Sequence, residues 1–323
     1  MSEQNLNTSP PWVDSFEEYE KIKLQIETLE NAAKEIIQRH QLPNEPLSLF
    51  SEGTNIVFAC GKQRVIKIYP PFHKDQFASE VLVLNHLQGK ISVKIPTIEY
   101  QGEIAGWPYI VISRLTGTLL EELWDTLDHN NKMIIIRELG ALIREAHTLP
   151  TEGLETIDCH WKQFIAKQIS QCLAHHRKWT FQEPLLQQLP AYVTSIQASL
   201  LLEINQPVIL TGEYTPMNIL VQQQSGIWHI DGMIDFADTM LGKAEYDLDG
   251  PGTFLIQGNK QLLKAFLSAY GYAKEEMTMA LSHQLTAITL LHRYSYLKTK
   301  LRIKNWQSRV TSIKDLEDLI WGF

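Results

Sequence analysis

A chain of 323 residues, 44% hydrophobic and 20% charged, is long enough for two domains with their own cores, and its composition is that of neither a disordered nor a fibrous protein. A formal charge of −8 speaks against a nucleic-acid partner held by general phosphate attraction. Three cysteines without a C-x-x-C pair (Cys60, Cys159, Cys172) outline neither a zinc site nor a disulfide framework, and no stretch approaches the ~18 apolar residues of a membrane span. With no leader pattern in MSEQNLNTSPPW, the expectation is a cytoplasmic protein without a membrane partner.

In chain order, DSFEEYEKIKLQIETLENAAKEIIQRHQ places Phe16, Tyr19, Leu29, Ala33 and Ile36 at helical spacing, with Asp14 or Ser15 as cap. One helix is expected there, in an N-terminal extension over residues 1–45. From Pro46 the pattern changes to short strands, LSLFSEG, TNIVFACG and QRVIKIYP, punctuated by Gly53 and the Gly61–Lys62 pair. A helix through Phe77, Val81, Leu84 and Leu87 and two further strands, PTIEYQGEIAG and WPYIVISRL, complete a small α+β lobe ending near Gly117. Residues 118–323 read as helices, interrupted by PVILTGEYTPMNILVQQQSGIWHIDGMIDFAD, where short apolar runs alternate with turns. Loops held by short strands on a helical scaffold are where chemistry is usually carried.

Lys67 sits in the β-branched strand RVIKIY, an awkward place for an ammonium unless it meets an anion. Glu80, thirteen positions on in the helix ASEVLVL, is spaced to meet it. A strand Lys with a helix Glu, after a glycine-bearing hairpin, is the set that grips nucleotide phosphates in protein kinases. The hairpin SEGTNIVF offers Gly53 and Asn55 to the nucleotide without a full G-x-G-x-x-G, and no P-loop motif occurs anywhere. Downstream, Asn218 and Asp235 are hard-oxygen donors seventeen positions apart, enough chain for a hairpin to return beside its start. They suit Mg²⁺, which takes a few such oxygens together with phosphates and water. Glu213, five residues before Asn218, stands where a general base would face an acceptor hydroxyl.

The succession TGEYTPMNILV, GMIDFAD and EYDL, with SRLTG and LGALIREAHTLP before it, resembles the aminoglycoside phosphotransferase and choline kinase group, small-molecule relatives of the protein kinases. The resemblance extends from about Leu47 to Leu248. It implies a two-lobed, protein-kinase-like α+β fold, with a small N-lobe of antiparallel sheet plus helix (46–117) and a larger, mostly helical C-lobe (118–323). It also implies Lys67 on the α- and β-phosphates of ATP or GTP, Glu80 orienting it, Asn218 and Asp235 on Mg²⁺, and Asp247 as a structural anchor. The acceptor would be a small-molecule hydroxyl, aminoglycoside-like or otherwise cationic. The charge does not single one out: residues before 118 carry 14 acidic and 11 basic side chains, and those after carry 23 and 18.

Two positions depart from the family's H-G-D-x-x-x-x-N loop: Thr211 replaces its His and Glu213 its Asp. A carboxylate longer by one methylene leaves open a nucleotide-binding, non-transferring pseudokinase, and a kinase-like enzyme acting on protein or moving a nucleotidyl group. His147, His160, His175 and His176 read as helix-end or surface residues, Asp231 and Asp238 as turn residues, with an approach to the acceptor the alternative for Asp238, and Tyr294, Tyr296 and Trp306 as core. Nothing in the sequence sets an oligomeric state.

Overall fold

The structure, a computed structural model, describes residues 9–51, 53–179 and 181–323, which fall into two compact units. The first comprises the described residues up to Gln88 together with Lys94–Thr116.

It opens with α1 (Phe16–Lys23), whose cap Ser15 accepts from the Glu18 amide, and α2 (Ile26–Arg39). The single expected helix is thus two, separated at Leu24 and Gln25. The apolar stripe runs unbroken in sequence, but a straight helix over both segments would span about 36 Å at 1.5 Å per residue. Strands of five to seven residues are roughly half that length. The break lets Tyr19 and Ile22 of α1 and Leu29, Ala32, Ala33, Ile36 and Ile37 of α2 join one core with Phe58, Ile66, Ile68, Trp107 and Val111.

These last residues belong to a five-stranded antiparallel sheet of β1 (Leu47–Leu49), β2 (Ile56–Cys60), β3 (Arg64–Ile68), β4 (Ile98–Ile104) and β5 (Trp107–Ser113), in the order β1-β2-β3-β5-β4. Lys67 pairs in register with Val57 on one side and Ile110 on the other, so it sits at the centre of the sheet. Between β3 and β4, α3 (Lys74–Leu87) buries Glu80, Val83, Leu84 and Leu87.

The second unit, Gly89–Val93 and Gly117–Phe323, is mostly helical. It begins with β6 (Thr118–Leu119), α4 (Leu120–Leu123), α5 (His129–Thr148), α6 (Trp161–Lys178) and α7 (Glu183–Leu200). Four short strands follow: β7 (Val208–Leu210), β8 (Ile219–Gln224), β9 (Ile227–Met233) and β10 (Met240–Gly242). They form the antiparallel sets β6-β8-β9 and β10-β7. A 3₁₀ turn, Ala244–Leu248, and a π-helical turn, Pro251–Ile256, lead to α8 (Lys260–Tyr270), α9 (Met279–Leu291), α10 (Leu297–Lys300), α11 (Trp306–Arg309) and α12 (Ile313–Trp321).

Helix α5 is the axis of this unit. Gly140 lets α8 approach so closely that a Cβ there would lie 2.5 Å from the Phe266 carbonyl. No helix among the described residues is long and apolar enough to cross a membrane.

Candidate active site

In the first unit, the ammonium of Lys67 donates to Glu80 Oε2 at 2.6 Å, and the Tyr69 hydroxyl donates to the same oxygen at 2.6 Å. All three side chains are buried. The sheet fixes Lys67 from both sides, and the Tyr69 ring lies 5.5 Å beneath its ammonium. Removing a charge pair from water is costly unless further hydrogen bonds satisfy it. Tyr69 supplies one to the carboxylate, leaving an oriented ammonium able to meet a phosphate.

The glycine-bearing turn lies between β1 and β2. Gly53 has φ +113°, a conformation that strains any residue with a side chain. Asn55 is buried; its Nδ2 donates to Gln76 Oε1 at 3.4 Å, and its Oδ1 has no protein partner.

In the second unit, residues 211–218 form a loop between β7 and β8. Its base is held by Asp247 in the 3₁₀ turn, which accepts the amide of Thr211 at 3.0 Å and that of Gly212 at 2.7 Å. Asp247 is itself held by His147 Nε2 at 3.1 Å, and His147 Nδ1 meets the Tyr270 hydroxyl at 3.0 Å. His147 therefore ends α5 as expected, yet it is buried and supports the loop from beneath. His176 is buried too, its Nε2 donating to the Leu290 carbonyl at 2.8 Å. Both lie in the last turns of their helices, as a helix-end role requires, but neither is a surface residue: His147 packs on the 3₁₀ turn and α8, and His176 on α9.

At the tip, Asn218 Nδ2 donates to Glu213 at two points, its backbone oxygen and Oε2, both at 3.2 Å. The β8–β9 hairpin pairs Ile219 with Met233, and the Ile234 amide donates to the Asn218 carbonyl at 3.0 Å, which brings Asp235 beside Asn218. Asp235 has φ +66°, in the left-handed region that an aspartate enters more readily than most residues. Asp231 is an interior residue of β9 rather than a turn residue. Thr211, in the place of the family's His, is fully buried, with its Oγ1 3.5 Å from the Glu213 amide that donates to it.

Burial pushes the Glu213 carboxyl up to about 8, the charges of Asp235 and then Asp238 adding to the rise, while Lys300 and Arg293 pull it back. Arg293 lies in the turn after α9, and Lys300 ends α10. Arg293 Nη1 lies 3.3 Å from Asp238 Oδ1, and the Tyr294 hydroxyl donates to Asp238 Oδ2 at 2.8 Å. The Lys300 ammonium donates to Asp249 Oδ2 at 2.8 Å, both groups being buried. Nothing in the spacing marks Arg293, Tyr294 and Lys300, because each lies more than 50 positions beyond its carboxylate and belongs to no motif. Tyr294, read as core, is instead a partner of Asp238.

The donor chemistry fits Mg²⁺. Asn218 turns its amide nitrogen to Glu213, so its oxygen is the end available to a cation, and Asp235 adds a carboxylate. The charges of Asp235 and Asp238 acting on the Glu213 carboxyl are what a divalent cation offsets. Among the described residues no cluster of three or more His, Cys, Asp or Glu side chains could hold a metal, so an all-protein cage is not offered. Two oxygen donors, completed by phosphate and water, are the arrangement Mg²⁺ takes in phosphoryl-transfer sites.

Comparison with known proteins gives a consistent family. The sequence profile of the phosphotransferase enzyme family matches residues 49–279. Among solved structures, the GDP complex of wild-type aminoglycoside 2'-phosphotransferase-IIIa is 18% identical, with 90% of this chain and 96% of that one covered and a TM-score of 0.68. The macrolide 2'-phosphotransferase MphH from Brachybacterium faecium is 17% identical over 85% of this chain and 99% of its own, with a TM-score of 0.54. An aminoglycoside phosphotransferase, APH(3'')-Id from Streptomyces rimosus, is 15% identical over 81% and 98%, with a TM-score of 0.56. At such identities these likenesses bear on the fold, which agrees with the small antiparallel lobe and the larger helical one expected from the sequence. Since the profile spans well over half of the chain, this protein belongs to the phosphotransferase enzyme family.

Proposed function

We propose that this chain transfers the γ-phosphoryl group of ATP or GTP to a hydroxyl of a small molecule. The observation that carries the proposal is the loop tip, where Glu213 and Asn218 are hydrogen-bonded to each other and Asp235 is brought alongside by the Ile234–Asn218 backbone bond. Phosphoryl transfer depends on positioning and on neutralising charge more than on covalent help from the protein. In this reading residues 46–117 are the nucleotide-binding lobe and 118–323 the lobe that carries the catalytic loop and the acceptor site.

Lys67, oriented by Glu80 and Tyr69, meets the α- and β-phosphates, and Gly53 and Asn55 lie against the nucleotide. Asn218 and Asp235 hold Mg²⁺, which when bound neutralises charge on the phosphate oxygens. Glu213 accepts the proton of the acceptor hydroxyl as its oxygen bonds to phosphorus and the bond to the departing diphosphate breaks. Asp247, through the Thr211 and Gly212 amides, keeps Glu213 at its height. The extra methylene of Glu213 is compatible with this role because Asn218 holds its carboxylate.

Solved structures with this fold are described with aminoglycoside and nucleotide ligands, GDP, ADP and ATP among them, and one is described as a macrolide 2'-phosphotransferase. A hydroxylated small molecule of that kind, aminoglycoside-like or otherwise cationic, is the proposed acceptor class, and the cytoplasm, where ATP and GTP are abundant, the proposed location. The test is incubation with Mg²⁺ and ATP or GTP against a panel of aminoglycosides, macrolides and amino alcohols, read by product mass. A gain of one phosphoryl group, lost in Asp235→Asn, is expected. A nucleotidyl adduct, a phosphorylated protein, or turnover unchanged in Asp235→Asn contradicts the proposal.

A further inference from the structure

Two side chains of α1 reach the glycine-bearing turn between β1 and β2. Tyr19 donates its hydroxyl to the Thr54 carbonyl at 2.7 Å, and Lys23 donates its ammonium to the Gly53 carbonyl at 3.1 Å. Tyr19 is fully buried, its ring 5.9 Å from those of Phe72 and Trp107, so its hydroxyl is a fixed donor rather than a wandering one. Lys23 is partly held in turn, with its ammonium 5.6 Å from the Tyr19 ring centre and 3.4 Å from Glu20. Both residues precede residue 49, where the family profile begins.

The consequence follows from peptide geometry. Across a trans peptide the carbonyl and the amide hydrogen point in opposite directions. Holding the Gly53 carbonyl toward α1 directs the Thr54 amide away from it, and holding the Thr54 carbonyl does the same for the Asn55 amide. Because both carbonyls are held from the α1 side, the two successive amides are turned to the opposite side. Successive amides turned one way form a concavity suited to an anion.

Resting on the phosphotransferase reading above, we propose that Tyr19 and Lys23 are positioning residues for the donor nucleotide, holding the Gly53 and Thr54 carbonyls so that the Thr54 and Asn55 amides face its phosphates. The N-terminal helix is then a working part of the nucleotide site as well as a cover for the sheet. Its effect falls on the phosphate chain and leaves recognition of the nucleoside untouched.

The experiment is calorimetric titration of the full chain, in Mg²⁺, with ATP, GTP and the corresponding nucleosides, for the native protein and for Lys23→Met, Tyr19→Phe and Lys23→Arg. Each loss of a held carbonyl should weaken triphosphate binding ~3- to 10-fold. Nucleoside binding and the melting temperature of ligand-free Lys23→Met should be unchanged, and Lys23→Arg should recover most of the loss. Native binding with no change in Lys23→Met and Tyr19→Phe overturns the clamp and leaves the phosphotransferase reading standing. Equal weakening for nucleosides and triphosphates also overturns it, since that is the mark of general loosening. Failure of the native chain to bind either triphosphate overturns both.

Discussion

Asn218 donates its side-chain amide to both the backbone oxygen and Oε2 of Glu213, each at 3.2 Å, closing the loop tip on itself. One side chain thereby sets two things at once: the direction of the Glu213 carboxylate and the direction of its own amide oxygen.

If Glu213 is the base, its charge state governs the reaction. Burial and the charges of Asp235 and Asp238 place its pKa at about 8, against an ordinary 4.5. The carboxylate form therefore grows as pH rises, and turnover should climb with pH, its midpoint drawn below 8 in Mg²⁺, whose charge offsets those of Asp235 and Asp238. The same shift opposes stability at high pH: the folded chain holds this proton more tightly, so the group favours folding below pH 4.5, and the contribution is lost as pH rises through about 8. Glu213→Gln should flatten the rising limb and lower kcat by ~10²- to 10⁴-fold, the usual worth of a positioned base. A pH–rate profile of the variant that keeps the native shape would count against the assignment.

Asp247 carries two loop amides and one imidazole. Asp247→Ala leaves the Thr211 and Gly212 amides without their acceptor in a buried place, and a loss of about 3 kcal/mol is expected. His147→Ala removes the support beneath Asp247 and should lower kcat with a smaller loss of stability. Urea unfolding of both variants, set beside their kinetics, checks the order.

The buried pair Asp249–Lys300 is unusual because Asp249 Oδ1 has no protein partner. Removing one member strands the other charge, so Lys300→Met alone should cost about 3–5 kcal/mol. The double variant Lys300→Met, Asp249→Leu should recover much of that. A double-mutant cycle in thermal unfolding measures the coupling, and additive losses would show that the two charges do not act as a pair.

His176 gives the protein an acid limit. Burial lowers its pKa from 6.5 to about 4, the bond to the Leu290 carbonyl opposing and the neighbouring His175 assisting. Between those values the unfolded chain takes up a proton that the folded chain refuses. Its contribution to stability is full above pH 6.5 and falls by up to about 3 kcal/mol as pH drops to 4. His176→Gln keeps an N–H for Leu290 without titrating, and its unfolding free energy should lose most of this slope.

What could be read from the sequence was local. Lys67 and Glu80 are thirteen residues apart on adjacent elements, and the β8–β9 hairpin that joins Asn218 to Asp235 is a continuous stretch of chain. The β1-β2-β3 meander of the first unit is likewise local, whereas the pairing of β3 with β5 rather than with β4 is marked by nothing in the sequence. Arg293, Tyr294 and Lys300 return from the far end of the chain, and their carboxylate partners become evident only when the helices are packed. His147 escaped for a related reason: a histidine ending a helix reads as exposed until the 3₁₀ turn carrying Asp247, 100 positions later, closes over it. The break between α1 and α2 has no proline or glycine to announce it and becomes evident only where both helices share one core with the sheet.

The measurement that bears most directly on the central claim is the melting temperature of the native chain with ATP and with GTP, with and without Mg²⁺, alongside Lys67→Ala and Asp235→Asn. A ligand that binds the folded state raises its apparent stability by mass action. The account predicts stabilisation by at least one nucleotide that depends on Mg²⁺ and is lost in both variants. No shift with either nucleotide, or an equal shift in the native chain and both variants, would contradict it.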